Sequence, residues 1–147
     1  MWPLKKKMEP GTWHGQGGPK VLLEHPGGDE LIGAVFALRD AGYDVAVCGG
    51  PVQPGLKPER CPLLDPEGCP LVEGADVVVT SFDLNRPETR DIVFELRSLR
   101  PRKPLVIETS PENAELYPEL LTGADLITSP TEPSEVLAAV EKALSKT

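Results

Sequence analysis

Residues 75 to 83 read ADVVVTSFD: three valines closed by Thr80 and Ser81, then Phe82 and Asp83. A short apolar run rich in β-branched residues and bounded by polar ones fits a buried strand better than a helix, because stiff β-branched side chains suit the pleat. A helix-period segment, PETRDIVFELRSLR (87–100), follows within a few residues and presents Ile92, Val93, Leu96 and Leu99 on one side. The unit is therefore strand, turn, helix. What chemistry sits at the end of the strand depends on Ser81 and Asp83.

The same unit recurs in both directions from Lys20 onward. KVLLE (20–24) is an apolar strand, DELIGAVFALRDAGY (29–43) a helix with Leu31, Ile32, Val35, Phe36 and Leu38 at helical spacing, and DVAVC (44–48) a second strand. Asp29 and Glu30 suit the positive end of that helix and Gly42 suits its stop. KPLVIET (103–109) and ADLIT (124–128) are two more strands, separated by ENAELYPELL (112–121), which Pro118 should break, and followed by PSEVLAAVEKAL (133–144). Five strands, apolar on both faces and alternating with helices, specify an α/β fold: an open five-stranded parallel sheet of the flavodoxin-like kind, order 2-1-3-4-5, with helices on both faces. The exception is the connection at 49–74, with six prolines and two cysteines. There the second helix is expected to be replaced by a Pro/Cys-rich loop, of a length that is usually functional or poorly ordered.

At 147 residues with 39% hydrophobic content, the chain supports one domain with one core. Residues 1–19 carry glycine, proline and charge without an apolar period and read as a flexible N-terminal tail, leaving 20–147 as the domain. A net charge of −8 opposes affinity for nucleic-acid phosphates and anionic membranes. The sequence contains no apolar run of about 18 residues and no apolar stretch after Lys5, Lys6 and Lys7, so a cytoplasmic location is expected. The odd count of three cysteines then favours reduced thiols over a disulfide framework.

Three stretches, VLLEHPGGDELIGAVFALRDAGYDV (21–45), LVIETS (105–110) and GADLITSPTEPSEVLAAVEKAL (123–144), resemble by order and spacing the receiver domain of bacterial response regulators in two-component signal transduction. The resemblance implies an acidic pair after the first strand that holds Mg²⁺, a phosphoacceptor Asp ending the third, a hydroxyl ending the fourth and a Lys before Pro ending the fifth. Carried over position by position, these become Glu24 and His25, Ser81, Thr109, and Ser129 ahead of Pro130. One carboxylate beside an imidazole is a poor octahedral Mg²⁺ site, and a serine hydroxyl is a weaker nucleophile than a carboxylate unless a base activates it. Asp83 lies two residues beyond Ser81, a shift of roughly 6 to 7 Å along the chain, too far to replace an acceptor positioned to about 1 Å. The resemblance thus implies a degenerate pocket of Glu24, His25, Ser81, Asp83, Thr109, Ser129 and Pro130, and a phosphorylation-independent pseudo-receiver acting as a signalling or regulatory protein-interaction module. It also implies a protein partner or homodimer met through the last strand and last two helices.

Other constellations compete. His25, Cys48, Cys61 and Cys69 have the chemistry of a Cys₃His zinc site, although Cys-x12-Cys-x7-Cys has no close pair, and a Cys61–Cys69 disulfide is the other way to order the 49–74 loop. These residues define the alternative of a metal or small-ligand sensor. His25-Pro26-Gly27-Gly28 is similar to half of the motif of cobalamin-binding domains, but Leu23 stands where their Asp would orient the imidazole, and ETSPEN (108–113) replaces a Gly-Gly. Gly27 and Gly28 ahead of a helix suit an anion less well than a tight turn, because Asp29 and Glu30 already occupy the positive end. Ser81, His25 and Asp83 make a nominal triad without a Gly-x-Ser-x-Gly elbow, so no enzymatic activity is expected.

Overall fold

The structure is a computed structural model and describes residues 13, 15, 17–50, 61–64, 66 and 68–146. In chain order it contains β1 (Lys20–Glu24), α1 (Asp29–Asp40), β2 (Asp44–Cys48), a 3₁₀ turn (Pro62–Leu64), α2 (Pro70–Gly74), β3 (Val77–Thr80) and α3 (Pro87–Ser98). After these come β4 (Leu105–Thr109), α4 (Pro111–Leu116), α5 (Pro118–Leu121), β5 (Asp125–Thr128) and α6 (Pro133–Ser145). Every described helix after α1 begins with a proline. Its fixed φ suits the first helical turn, where the missing N–H has no intrahelical partner to lose. Pro118 ends one helix and opens the next, so the segment expected to break there does.

The sheet is parallel throughout, in the order β2-β1-β3-β4-β5. Successive strand residues point to opposite faces, and the core divides accordingly. Val21, Leu23, Val45, Val47, Val77, Val79 and Val106 pack with Ala34, Val35 and Leu38 of α1 and Val136, Val140 and Ala143 of α6. On the other face, Leu22, Ala46, Val78 and Ile107 pack with Ile92, Val93 and Leu96 of α3 and with Leu63 and Val72 from the proline-rich connection. At roughly 2 kcal/mol for each fully buried aliphatic side chain, these two layers dominate the stability of the domain.

Three features depart from the sequence-based expectation. The 49–74 connection is not bare loop, because its described part forms the 3₁₀ turn and α2, with Pro70 opening the helix and Cys69 as its N-cap. Lys103 donates to the carbonyls of Glu73 and Ala75 at 2.6 and 2.7 Å and so satisfies the end of this one-turn helix. Residues 51–60 lie outside the described part. Secondly, β5 is not buried on both faces, because it is an edge strand and Leu126 is 46% exposed. Thirdly, the described residues of the expected 1–19 tail lie against the domain: Trp13 packs on the α3-side core, and the Gly15 amide donates to Asp44. Residues 1–12, 14 and 16 lie outside the described part, including the three lysines. Among the described residues, no helix is long and apolar enough to cross a membrane.

Candidate functional site

The carboxyl ends of the strands form a cleft of about 260 Å³ lined by His25, Glu30, Ser81, Asp83, Glu108, Thr109, Asn113 and Ser129. A neighbouring cleft of about 220 Å³ shares Pro26, Ser81, Phe82 and Asp83 with it and continues toward Gly49, Gly50 and Arg86. Six of the seven positions expected at the degenerate pocket are thus gathered at one edge of the sheet, Pro130 by its bond to Ser129. The seventh, Glu24, is directed elsewhere.

Strand alternation separates Glu24 from its neighbour His25. Glu24 registers with Cys48 on β2 and Thr80 on β3, and these three side chains share the α3 side of the sheet. Glu24 is 3% exposed, and neither its Oε1 nor the Thr80 hydroxyl oxygen has a hydrogen-bond partner among the described residues. Burial pushes the Glu24 carboxyl from 4.5 up to about 7, with the nearby Thr80 hydroxyl opposing the shift.

His25 points to the α1 and α6 side. Its amide donates to Cys48 O at 3.0 Å, and its Nδ1 accepts from the Gly27 amide at 3.0 Å, which assigns the neutral ring with the proton on Nε2. Burial lowers its pKa, opposed by the carboxylates of Glu108 and Glu30. The turn that aims the ring requires φ values of 116° at Gly27 and 96° at Gly28, which a side chain at either position would strain.

The centre of the cleft is Glu108, a residue the sequence reading passed over. It is 8% exposed; Ser81 Oγ donates to its Oε1 at 2.7 Å, and the Thr131 hydroxyl donates to its Oε2. A buried carboxylate is tolerated when hydroxyl donors replace its water, and charge-assisted bonds of this kind contribute about 1.5 to 3 kcal/mol each. The sequence did carry a signal: Glu108 is an acidic residue inside the otherwise apolar strand LVIET, where an unpaired charge would be expelled. Ser81 also ties β3 to β1 through its amide, which donates to Glu24 O at 2.8 Å.

The other expected residues have local roles. Asp83 is exposed, and its Oδ1 accepts from the Asn85 amide at 3.0 Å, an Asx turn leading into α3. Thr109 is 5% exposed, and its carbonyl accepts from the Ser129 amide at 2.9 Å. Ser110 caps α4 by accepting from Asn113 N at 3.1 Å. The Ser129–Pro130 bond is cis.

These residues do not fit a divalent cation, because Glu24 faces the core and Glu108 gives both oxygens to hydroxyl donors. Zinc fares no better. Cys48, Cys61 and Cys69 pack on the α3 side while His25 lines the α6 side, and no group of three or more His, Cys, Asp or Glu side chains among the described residues is placed to hold a metal. Nor is the imidazole held as a corrinoid ligand would be: Leu23 is buried at 2% exposure and Nδ1 is already engaged. In the nominal triad, Ser81 donates to Glu108 and Asp83 accepts from the Asn85 amide, so among the described residues the catalytic hydrogen-bond chain is not formed.

The two buried carboxyls behave differently under test. Glu24 favours the folded state while protonated, so its contribution is full below pH about 4.5 and is lost as pH rises through about 7, a difference of roughly 3 kcal/mol. Replacing it, Glu24→Gln, is expected to abolish this part of the pH dependence and to raise stability at pH 8 more than at pH 5, as measured by urea unfolding. Restoring an acid at the strand end, Ser81→Asp, sets a carboxylate against Glu108 and should destabilise by about 1 to 3 kcal/mol. The double change Ser81→Asp with Glu108→Gln should recover most of that loss, and thermal unfolding of the pair measures it.

No family model matches the chain, and no curated protein matches it. Solved structures do. A CheY-like receiver domain protein from Methanospirillum hungatei is 19% identical with a TM-score of 0.62, over 88% of this chain and 96% of that one. The chemotaxis response regulator CheY4 of Vibrio cholerae is 20% identical with a TM-score of 0.60, over 86% and 99%. A protein from a family of streptococcal redox sensors described as evolved from two-component response regulators is 12% identical with a TM-score of 0.63, over 88% of this chain and 52% of that one. With this strand order and these neighbours, the chain has the flavodoxin-like fold of the response-regulator receiver domains.

Proposed function

We propose that the chain is a phosphorylation-independent pseudo-receiver, a signalling or regulatory module that works by binding protein rather than by catalysis. The observation that carries this reading is the Ser81–Glu108–Thr131 bridge. At the strand end where a phosphoacceptor would stand there is a hydroxyl, and its hydrogen bond goes to a carboxylate the chain supplies itself. A phosphoryl group arriving there would meet the charge of Glu108 at close range. Among the described residues, no lysine lines the cleft to offset that repulsion.

The interaction role is supported by the edge of the sheet. Leu126 on β5 and Leu116 on α4 are 46% and 64% exposed, large apolar side chains on the strand and helix expected to meet a partner or a second copy. Burying two leucines is worth roughly 3 to 5 kcal/mol, a useful share of a specific interface.

Phosphorylation independence is tested by incubating the protein with Mg²⁺ and a small acyl phosphate donor and measuring the intact mass. No phosphoryl adduct is expected, and an adduct on Asp83 would overturn the reading. The surface is tested by light scattering over a concentration series. Leu126→Glu is expected to leave stability within about 0.5 kcal/mol and to weaken self-association or binding of the partner at least tenfold.

A further inference from the structure

Four of the chain's fifteen lysine and arginine residues, Arg97, Arg100, Arg102 and Lys103, fall within one stretch of seven, in a protein whose net charge is −8. The stretch runs from the last turn of α3 to the start of β4, so it lies at the amino-terminal ends of the strands, the opposite end of the sheet from the cleft. Its side chains reach across several elements. Arg97 Nη1 donates to the Glu119 carbonyl of α5 at 2.8 Å, and Lys103 donates to the carbonyls of Glu73 and Ala75 at 2.6 and 2.7 Å. Arg102 lies over Gly123, just past α5, where an added Cβ would come within 3.0 Å of its Nη2. Arg100 Nη1 donates to the Leu99 carbonyl at 2.8 Å and to the Arg97 carbonyl at 3.4 Å.

Cations near the end of a helix often serve its exposed carbonyls and dipole, and Arg100 serves α3 in this way. A neutral carbonyl fixes a guanidinium without cancelling its charge, however, and among the described residues none of the four cations pairs with a carboxylate. Elsewhere the chain does compensate its cations: Lys142 and Lys146 pair with Asp125 at 3.8 and 2.7 Å. Arg102 is exposed and has no hydrogen-bond partner among the described residues. Phe94, 59% exposed, stands one turn before Arg97 and Ser98 on α3, which sets an apolar side chain beside the charges.

We propose that this surface binds a short acidic segment of a partner protein, its carboxylates meeting Arg97, Arg100, Arg102 and Lys103 and an apolar side chain meeting Phe94. An arginine that gives one nitrogen to a carbonyl keeps further donors for a carboxylate, whose planar shape suits the guanidinium fork. Three of the four cations are already held by backbone bonds, so less side-chain freedom is lost when a partner arrives. Charge decides the kind of partner. A short acidic segment needs only the local positive field, whereas a nucleic-acid duplex or an anionic membrane would also meet the strongly acidic remainder of the chain. Because it lies at the far end of the sheet, the surface works alike whether or not the cleft accepts a phosphoryl group.

The test uses the full chain and fluorescence anisotropy with a labelled peptide of aspartates and glutamates carrying interspersed leucines. Saturable binding is expected, weakening as salt rises from about 0.05 to 0.5 M, and the matching peptide of asparagines and glutamines should not bind. Arg102→Glu should weaken binding about tenfold, whereas Arg86→Glu, the same change of net charge at the other end of the sheet, should leave it within about twofold. Phe94→Ser should weaken binding of the leucine-bearing peptide and not of an all-acidic one. Circular dichroism melting checks the fold of each variant, and Arg102→Gln, which removes the charge without reversing it, serves if the reversal unfolds the chain. No binding, equal binding of the uncharged peptide, equal loss in Arg102→Glu and Arg86→Glu, or stronger binding of a duplex oligonucleotide or of phosphatidylserine vesicles overturns the proposal.

Discussion

A strand offers its side chains two directions and no third, and the arrangement of this molecule's strand ends follows from that constraint. Glu24 and His25 are adjacent in sequence and cannot serve one site while the strand geometry runs through both. Register decides which of them reaches the cleft. Pairing Glu24 with Cys48 and Thr80 turns its carboxylate into the α3-side layer, and His25, one residue on, emerges toward α1 and α6. The same parity sends Thr80 inward and Ser81 into the cleft. Slipping β1 by one residue would exchange the roles but would also place Val21 and Leu23 in the wrong layer, at a cost of several kcal/mol in lost burial.

Fixed in this way, the cleft contains a carboxylate that, among the described residues, is held by hydroxyl donors. Glu108 receives them from two different elements, Ser81 beyond β3 and Thr131 ahead of α6. Because they join elements distant in sequence, these bonds act as a cross-brace between the third strand, the fourth strand and the connection to the last helix. Glu24 has no such support: Oε1 lacks a partner, and burial instead raises its proton affinity. Two buried glutamates at the ends of β1 and β4 therefore reach different solutions, one bridged by hydroxyl donors, the other raised in proton affinity by burial.

Most of the fold was legible in the sequence because its signals are local. Apolar runs at 20–24, 44–48 and 75–81, the helical period at 87–100 and the prolines at helix starts each act within a few residues, and the parallel order follows from their alternation. Legibility was lost where the outcome depends on partners distant in sequence. The turn at 70–74 forms because Lys103, about thirty residues later, satisfies its carbonyls. Packing of Trp13 and the amide contact of Gly15 with Asp44 likewise come from the other end of a long separation. Within the site, positions were readable by counting along strands, but Glu108 was not, because its role is defined by Ser81 and Thr131, at separations of 27 and 23 residues.

The brace also bears on how such a domain would be regulated under the proposed function. Thr131 lies on the connection from β5 to α6, five residues from exposed Leu126 at the sheet edge and five from Val136 in the core, so holding Glu108 also holds the path between cleft and surface. In a phosphate-switched domain that path would be set by an anion that comes and goes. Here the anion is a side chain, present in every copy of the folded protein, and a bond that forms with the fold has only one population to offer. A ligand can shift an equilibrium only by binding two states differently.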